Sequence, residues 1–263
     1  MIPVQLAEKC FAGSRAPCAR LPAPLKRELT ILVPAYNESR RIGTTIERLL
    51  AWASAKLDAF EVLVVDDGST DGTAQVIRER FGDAVRVLQH ARRSGKGAAI
   101  RTGVQAARMP WVLFADADLS IPIEEFEKLW VRTGEAEIVI GSKRAPGGEL
   151  RYPPVRKFLG GIGQSLIALL VVSGFHDTQC GFKLYRTDVA RELTASQRIN
   201  GFGFDFELLF LARRLGWNTR EVAVRCGHVG GGTVRLSSYF RVLGEIAHLL
   251  WNRVRGLYPR RKS

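Results

Sequence analysis

The chain has 263 residues, 46% hydrophobic and 25% charged, which excludes general disorder and supplies enough apolar mass for a sizeable core. Its net charge of +13 is concentrated at the ends: residues 1–27 hold five basic and one acidic side chain, residues 235–263 seven and one. Four scattered cysteines exclude a disulfide scaffold, and the first 27 residues lack the apolar run of a secretory signal, so the cytoplasm is the expected compartment.

Residues 1–27, with Pro3, Pro17, Pro22 and Pro24, read as a basic tail ahead of a domain predicted over 28–234. From Leu29 onward, apolar runs of strand length alternate with amphipathic stretches of helical length, the pattern of a layered α/β fold. Strands are predicted at Leu29–Val33, Glu61–Asp66, Val85–Gln89, Trp111–Asp116 and Glu137–Gly141, with helices at Arg40–Ser54, Gly72–Phe81, Lys96–Ala107 and Ile123–Arg132. Unbroken apolar runs such as Val62 to Val65 suit a mainly parallel sheet covered on both faces.

A Gly/Pro-rich loop, 145–154, leads into the uncharged stretch Phe158–Phe175. A helix of that length reaches about 27 Å. A buried helix, an interfacial helix and a short span all stay open, although Gly160, Gly161 and Gly163 count against the last. Then come strand Phe182–Tyr185, helix Phe204–Leu215, strand Thr219–Val224 and a closing helix Ser238–Arg255. In that helix Phe240, Leu243, Ile246, Ala247, Leu250, Trp251 and Val254 recur at spacings of three and four, beside Arg253, Arg255, Arg260, Arg261 and Lys262. Such a segment, 235–263, suits an anionic membrane surface, or a helix packed on the core with a solvated tail.

Chemistry gathers at predicted strand ends, where open α/β sheets bind ligands. Asp116 and Asp118 flank Ala117, and carboxylates two apart in extended chain point to one side. That pair needs a cation, and oxygen ligands with open positions suit Mg²⁺ or Mn²⁺ bridging a diphosphate. Asp66 and Asp67 precede turns at Gly68 and Gly72, with Asp71 a predicted helix cap, and suit the hydroxyl and ring N–H donors of a ribose and base. After Pro34, Tyr36 is placed to stack on a base and Glu38 to accept from a hydroxyl, while Asn37 to Ser39 would equally cap the next helix. Lys96 in Ser94-Gly95-Lys96-Gly97 lies at a predicted helix N-terminus that favours an anion, although His90 and Gly97 break the phosphate-loop pattern. Three acidic strand-end motifs would repel a nucleic-acid backbone, so no nucleic-acid partner is expected.

Together, Val33 to Glu38, Val65 to Thr73, Gly95 to Gly97 and Asp116 to Asp118 resemble, in order and spacing, the family 2 glycosyltransferases. Asp177 to Tyr185 and Phe204 to Leu209 are similar to the dolichyl-phosphate β-glucosyltransferase branch and its prokaryotic relatives. The resemblance spans about Leu29 to Arg255 and implies the GT-A fold, a three-layer α/β sandwich on a mainly parallel sheet. It implies inverting transfer of glucose from UDP-glucose to a polyprenyl phosphate of the dolichyl type, the alternative being mannose from GDP-mannose. Pro34, Tyr36, Glu38, Asp66, Asp67 and Lys96 then hold the nucleotide-sugar, and Asp116, Ala117 and Asp118 the diphosphate and its Mg²⁺ or Mn²⁺. Asp118 is the expected catalytic carboxylate, with Lys143, Arg156 and Arg235 as cations for the acceptor phosphate. Lys143 stands where relatives commonly carry Arg, so a point charge replaces a bidentate grip unless Arg144 takes part. A lipid acceptor places the protein at the cytoplasmic face of a membrane, peripherally or in the interface.

Overall fold

The computed structural model describes residues 26–148, 163–227 and 236–260. In chain order the elements are β1 (Glu28–Ala35), α1 (Ile42–Lys56), β2 (Ala59–Asp66), α2 (Thr73–Phe81), β3 (Val85–Gln89), α3 (Lys96–Ala106), β4 (Trp111–Phe114), α4 (Phe126–Trp130) and β5 (Ile138–Ser142). There follow a helix described over 163–170 (α5), then β6 (Lys183–Arg186), α6 (Thr187–Ala195), α7 (Phe204–Leu215), β7 (Thr219–Ala223) and α8 (Leu236–Val254).

The strands form one seven-stranded sheet in the order β3-β2-β1-β4-β6-β5-β7. β1 pairs in parallel with β2 and β4, and β2 with β3. β6 runs antiparallel to both its neighbours, β4 and β5, while β7 is parallel to β5. Strand periodicity explains the unbroken apolar runs, because successive residues face opposite layers and both layers are covered. Leu32, Leu63, Val112 and Tyr185 enter a core with α3, α6 and α7, while Ile31, Val62, Leu113 and Leu184 face Ile42, Ile46 and Leu49 of α1. Fully burying one such side chain contributes about 1.5–3 kcal/mol. Aromatic contacts tie elements within each layer: Trp52 of α1 meets Phe126 of α4 edge-on at 5.2 Å, and Phe114 of β4 stacks on Tyr185 of β6 at 4.8 Å.

Several expected boundaries move. β4 ends at Phe114, two residues early, so Asp116 and Asp118 lie in a turn beyond the strand. The fourth predicted helix begins as a 3-10 turn, Ile123–Glu125, and α4 proper has five residues. α6 has no predicted counterpart; it follows β6 without a loop and buries Val189, Ala190 and Leu193. Of the Phe158–Phe175 stretch, residues 163–170 are helical with Ile167 buried and Leu169 exposed. Among the described residues no helix is long and apolar enough to cross a membrane.

The apolar residues of α8 do not form one stripe. Ile246 and Leu249 are buried in the core with Tyr258 beyond the helix, whereas Leu243, Ala247, Trp251 and Val254 are exposed along another face. Periodicity merges two faces that lie close together around one helix.

Candidate active site

The site forms where β1, β2 and β4 end and β6 begins, because only there do their terminal turns meet. After β1, Asn37 adopts the left-handed conformation (φ 56°) and ties the first turn to the second: its N–H donates to Ser69 Oγ (2.9 Å) and its Oδ1 accepts from Thr70 N (3.0 Å). Glu38 N donates to Thr73 Oγ1 (2.9 Å) and Ser39 N to Asp71 Oδ2 (3.0 Å). Asn37 to Ser39 therefore bind the second turn, and Arg41 stands at the start of α1. Asp71 also accepts from Thr73 N (3.0 Å), the second residue into its turn; burial works against ionisation there, but these hydrogen bonds hold its carboxyl down at about 2. Pro34 and Tyr36 are half-buried on this edge, and the Arg93 guanidinium lies 4.2 Å over the Tyr36 ring.

Asp66 and Asp67 are buried, and the protein itself engages both. Asp66 accepts from Ser69 N (3.1 Å), the Ser69 hydroxyl and Gln89 Nε2 (3.0 Å). Asp67 accepts from Ser94 N (2.8 Å) and Gly95 N (2.7 Å) and meets His90 Nδ1 at 2.8 Å. A carboxylate has about four acceptor positions, so three contacts leave each residue little to offer a ligand. Asp67 instead fixes the loop that delivers Lys96. The N-terminus of α3 is not an open anion site: Asn200 O accepts from Gly97 N (2.8 Å) and Ala98 N (3.3 Å). The positive group presented there is the Lys96 ammonium, reaching past the capped helix end.

Lys96 Nζ donates to Asp116 Oδ1 at 2.6 Å. Burial opposes both charges, but the attraction prevails, raising the lysine's affinity for its proton and lowering that of Asp116, on which Lys143 and Lys183 also act. A tight turn sets the carboxylates, with Leu119 N donating to Asp116 O (3.0 Å), Leu119 at φ 43°, and Ser120 N donating to Asp118 Oδ1 (2.9 Å). Extended strand has already ended here, so a turn and not strand alternation sets the directions of the two side chains. Ala117 contributes its carbonyl, which accepts from Thr45 Oγ1 of α1 (2.6 Å). Glu38 is pushed up by burial, against the pull of Arg41, and further by Asp118, Asp71 and Asp116.

Across the edge, Lys143 Nζ is 3.7 Å from Asp177 Oδ2, which also accepts from Lys143 N (3.2 Å). Arg144 N lies 3.3 Å from Ser142 Oγ in the same turn. Arg156 and Arg235 lie outside the described residues, as do Arg261 and Lys262.

Sequence reasoning assigned no role to the layer behind Asp116. Lys183 and Asp205 form a short, fully buried ion pair, and Lys183 Nζ also donates to Thr178 O (2.9 Å). Burial raises the Asp205 carboxyl and drives the Tyr185 hydroxyl well up. A Cβ on Gly181 would lie 2.1 Å from Asp116 Oδ2, so only glycine lets β6 start against the site. The available signal was the charged Lys183 and Asp205 within otherwise apolar elements.

A family model, Glycosyl transferase family 2, matches residues 30–194. A dolichyl-phosphate β-glucosyltransferase of Drosophila melanogaster is 34% identical over 248 residues, covering 86% of this chain and 75% of the relative. One from Mus musculus is 33% identical over 272 residues, covering 95% and 83%. Among solved structures, glucosyl-3-phosphoglycerate synthase of Mycobacterium tuberculosis, in complex with Mn²⁺, UDP-glucose and phosphoglyceric acid, superposes with TM-score 0.62 at 22% identity, covering 89% of this chain and 81% of that one. Mannosyl-3-phosphoglycerate synthase of Rubrobacter xylanophilus gives TM-score 0.66 at 19% identity, covering 88% and 74%. These likenesses establish the GT-A fold. With the family match and relatives above 30% identity over most of their length, the chain belongs to glycosyl transferase family 2 and groups with the dolichyl-phosphate β-glucosyltransferases within it.

Proposed function

We propose that the protein transfers glucose from UDP-glucose to a polyprenyl phosphate, inverting the anomeric centre. The observation that carries this reading is the Asp116–Asp118 turn, pinned by Lys96 and faced by Lys143, in a chain whose relatives are named for this reaction. A phosphate monoester is already an anionic nucleophile at neutral pH, so the acceptor needs positioning and charge neutralisation more than a strong base. Lys143 serves that role here as a point charge held by Asp177, with Arg156 and Arg235 as further candidates. Lys96 lies on the donor side, where it offsets diphosphate charge.

Asp116 and Asp118 fit a divalent cation, Mg²⁺ or Mn²⁺. Each keeps an Oδ2 that accepts no hydrogen bond among the described residues, and Glu38, raised chiefly by burial, feels the charge of both. Among the described residues no three His, Cys, Asp or Glu side chains assemble into a ligand set, so diphosphate and water would complete the coordination. When bound, such an ion supplies Lewis-acid stabilisation to the departing nucleotide. Asp66 and Asp67 serve the nucleotide pocket chiefly by fixing its loops, while Tyr36, Glu38 and Pro34 line it.

The test is transfer of labelled sugar from UDP-glucose and GDP-mannose into organic-extractable lipid with polyprenyl phosphate as acceptor. Incorporation from UDP-glucose is expected. Incorporation from GDP-mannose alone would move the donor assignment, and none from either would remove the reading.

The lipid acceptor also requires a bilayer, and the exposed Leu243, Ala247, Trp251 and Val254 of α8, flanked by Arg241, Arg253 and Arg255, suit the anionic cytoplasmic surface. Trp251 is 62% exposed, so Trp251→Ser leaves the fold intact. Co-sedimentation with anionic vesicles is expected to fall several-fold, with steeper salt dependence. Unchanged sedimentation would place attachment elsewhere. Deleting residues 256–263 is a poorer test, because Tyr258 is buried and donates to Glu207 (2.6 Å).

A further inference from the structure

Resting on the reading of Lys96 as a donor-site cation, we infer that Glu245 of α8 and Glu207 of α7 are positioning residues for Lys96, acting through the turn at 197–203. One side of this turn is clamped to the start of α3. Asn200 O caps Gly97 N and Ala98 N, Gln197 Nε2 donates to Gly97 O (3.0 Å), and Arg101 donates to Gln197 O (3.2 Å) and Asn200 Oδ1 (2.8 Å). The two glycines flanking Lys96 have no slack: a Cβ on Gly95 would stand 2.2 Å from Asn200 O, and one on Gly97 2.6 Å from Ile199 O. A displacement of the turn is therefore passed to the backbone on both sides of Lys96, because close-packed contacts transmit strain.

The other side of the turn is held by the two carboxylates. Glu207 is fully buried and accepts from Arg198 N (2.9 Å), Ile199 N (2.9 Å) and Tyr258 Oη (2.6 Å). Glu245 Oε2 accepts from Gly203 N (2.7 Å). Gly201 and Gly203 wrap so closely that their Cβ atoms would fall 1.8 Å from Glu245 Oε1 and 3.0 Å from Glu245 Cβ. The next residue, Phe204, places its ring under the Lys96 ammonium, 5.9 Å from the centroid. A helix some 150 residues away in sequence from Lys96 thus sets where its charge sits, and α8 becomes part of the donor-site machinery.

The experiment is calorimetric titration of UDP with Mn²⁺ into the full chain and into Glu245→Ala, Glu245→Gln, Glu207→Gln, Lys96→Ala and Lys96→Ala/Glu245→Ala, with thermal midpoints alongside. Glu245→Ala is expected to weaken UDP binding by about 3- to 30-fold. Glu245→Gln restores most of it, since one amide oxygen suffices for Gly203 N. Glu207→Gln weakens binding too, because its amide N–H must oppose one of the two backbone donors. In the double variant the Glu245 change adds nothing to Lys96→Ala, the signature of action through one residue. Additive losses, or a lowered thermal midpoint with unchanged UDP affinity in both Glu245→Ala and Glu207→Gln, would overturn the inference. If Lys96→Ala alone leaves UDP binding unchanged, the donor-site reading of Lys96 fails, and the positioning role with it.

Discussion

Asparagine in place of Asp118 is expected to slow glycosyl transfer by about a hundredfold or more without unfolding the protein. Asparagine retains an oxygen to accept from Ser120 N, now at 2.9 Å from Asp118 Oδ1, so the turn survives. What disappears is one of two negative charges proposed to recruit the divalent ion, and Asp116 cannot replace it while engaged by Lys96. Initial rates across a Mn²⁺ series, with Mn²⁺ affinity measured separately by electron paramagnetic resonance, separate lost binding from lost chemistry. Near-normal turnover, or full activity in excess chelator, would falsify the assignment.

Lys183→Met should be the most damaging stability change, at about 3–5 kcal/mol, because it strands Asp205 uncompensated in a dry interior. Urea unfolding gives the value. Replacing both partners, Lys183→Met with Asp205→Leu, should recover most of the loss, since two apolar side chains need no mutual pairing. The pH dependence has a definite sign. Burial raises the Asp205 carboxyl above its unfolded value, so its protonated form is favoured in the fold, and stability is lost as pH rises above the ordinary carboxylate range. Removing the lysine enlarges that effect, and the deficit of Lys183→Met is expected to shrink between pH 7 and pH 5. A double variant as unstable as the single one would point to faulty packing instead of a stranded charge.

Much of the architecture was legible because burial on both sheet faces leaves plain apolar runs, as in Val62 to Val65, separated by turn residues. The site's location was legible for the same reason: Asp66, Asp116 and Glu38 break those runs at strand ends. What the side chains do there was less legible. Asp67 looks like a ligand group in one dimension, yet its partners Ser94 and Gly95 lie 27 and 28 residues away and are found only by folding. The capping of α3 by Asn200 is longer still in sequence, and no local pattern announces it. α6 was missed although Val189, Ala190 and Leu193 are spaced as one helix face, because no turn residue separates it from β6. On α8 the apolar spacing was read correctly but assigned to one face, since periodicity does not report where a neighbour sits.

The reversal of β6 also bears on how the chain matures as it leaves the ribosome. β5 and β7 join the sheet only through β6, and β4 has β1 as its sole partner until β6 arrives. Strand β5 is synthesised some forty residues before the strand it needs, so a nascent chain carries the apolar Trp111–Phe114 edge uncovered. Open edges of this kind invite pairing with other chains, and late, long-range pairing is slow. The half-sheet that emerges first already holds the turns after β1 and β2 that are proposed to bind the nucleotide. It lacks Gly181 and Lys183, which close in behind Asp116, so the surroundings of Asp116 are complete only once the second half of the polypeptide has joined the sheet.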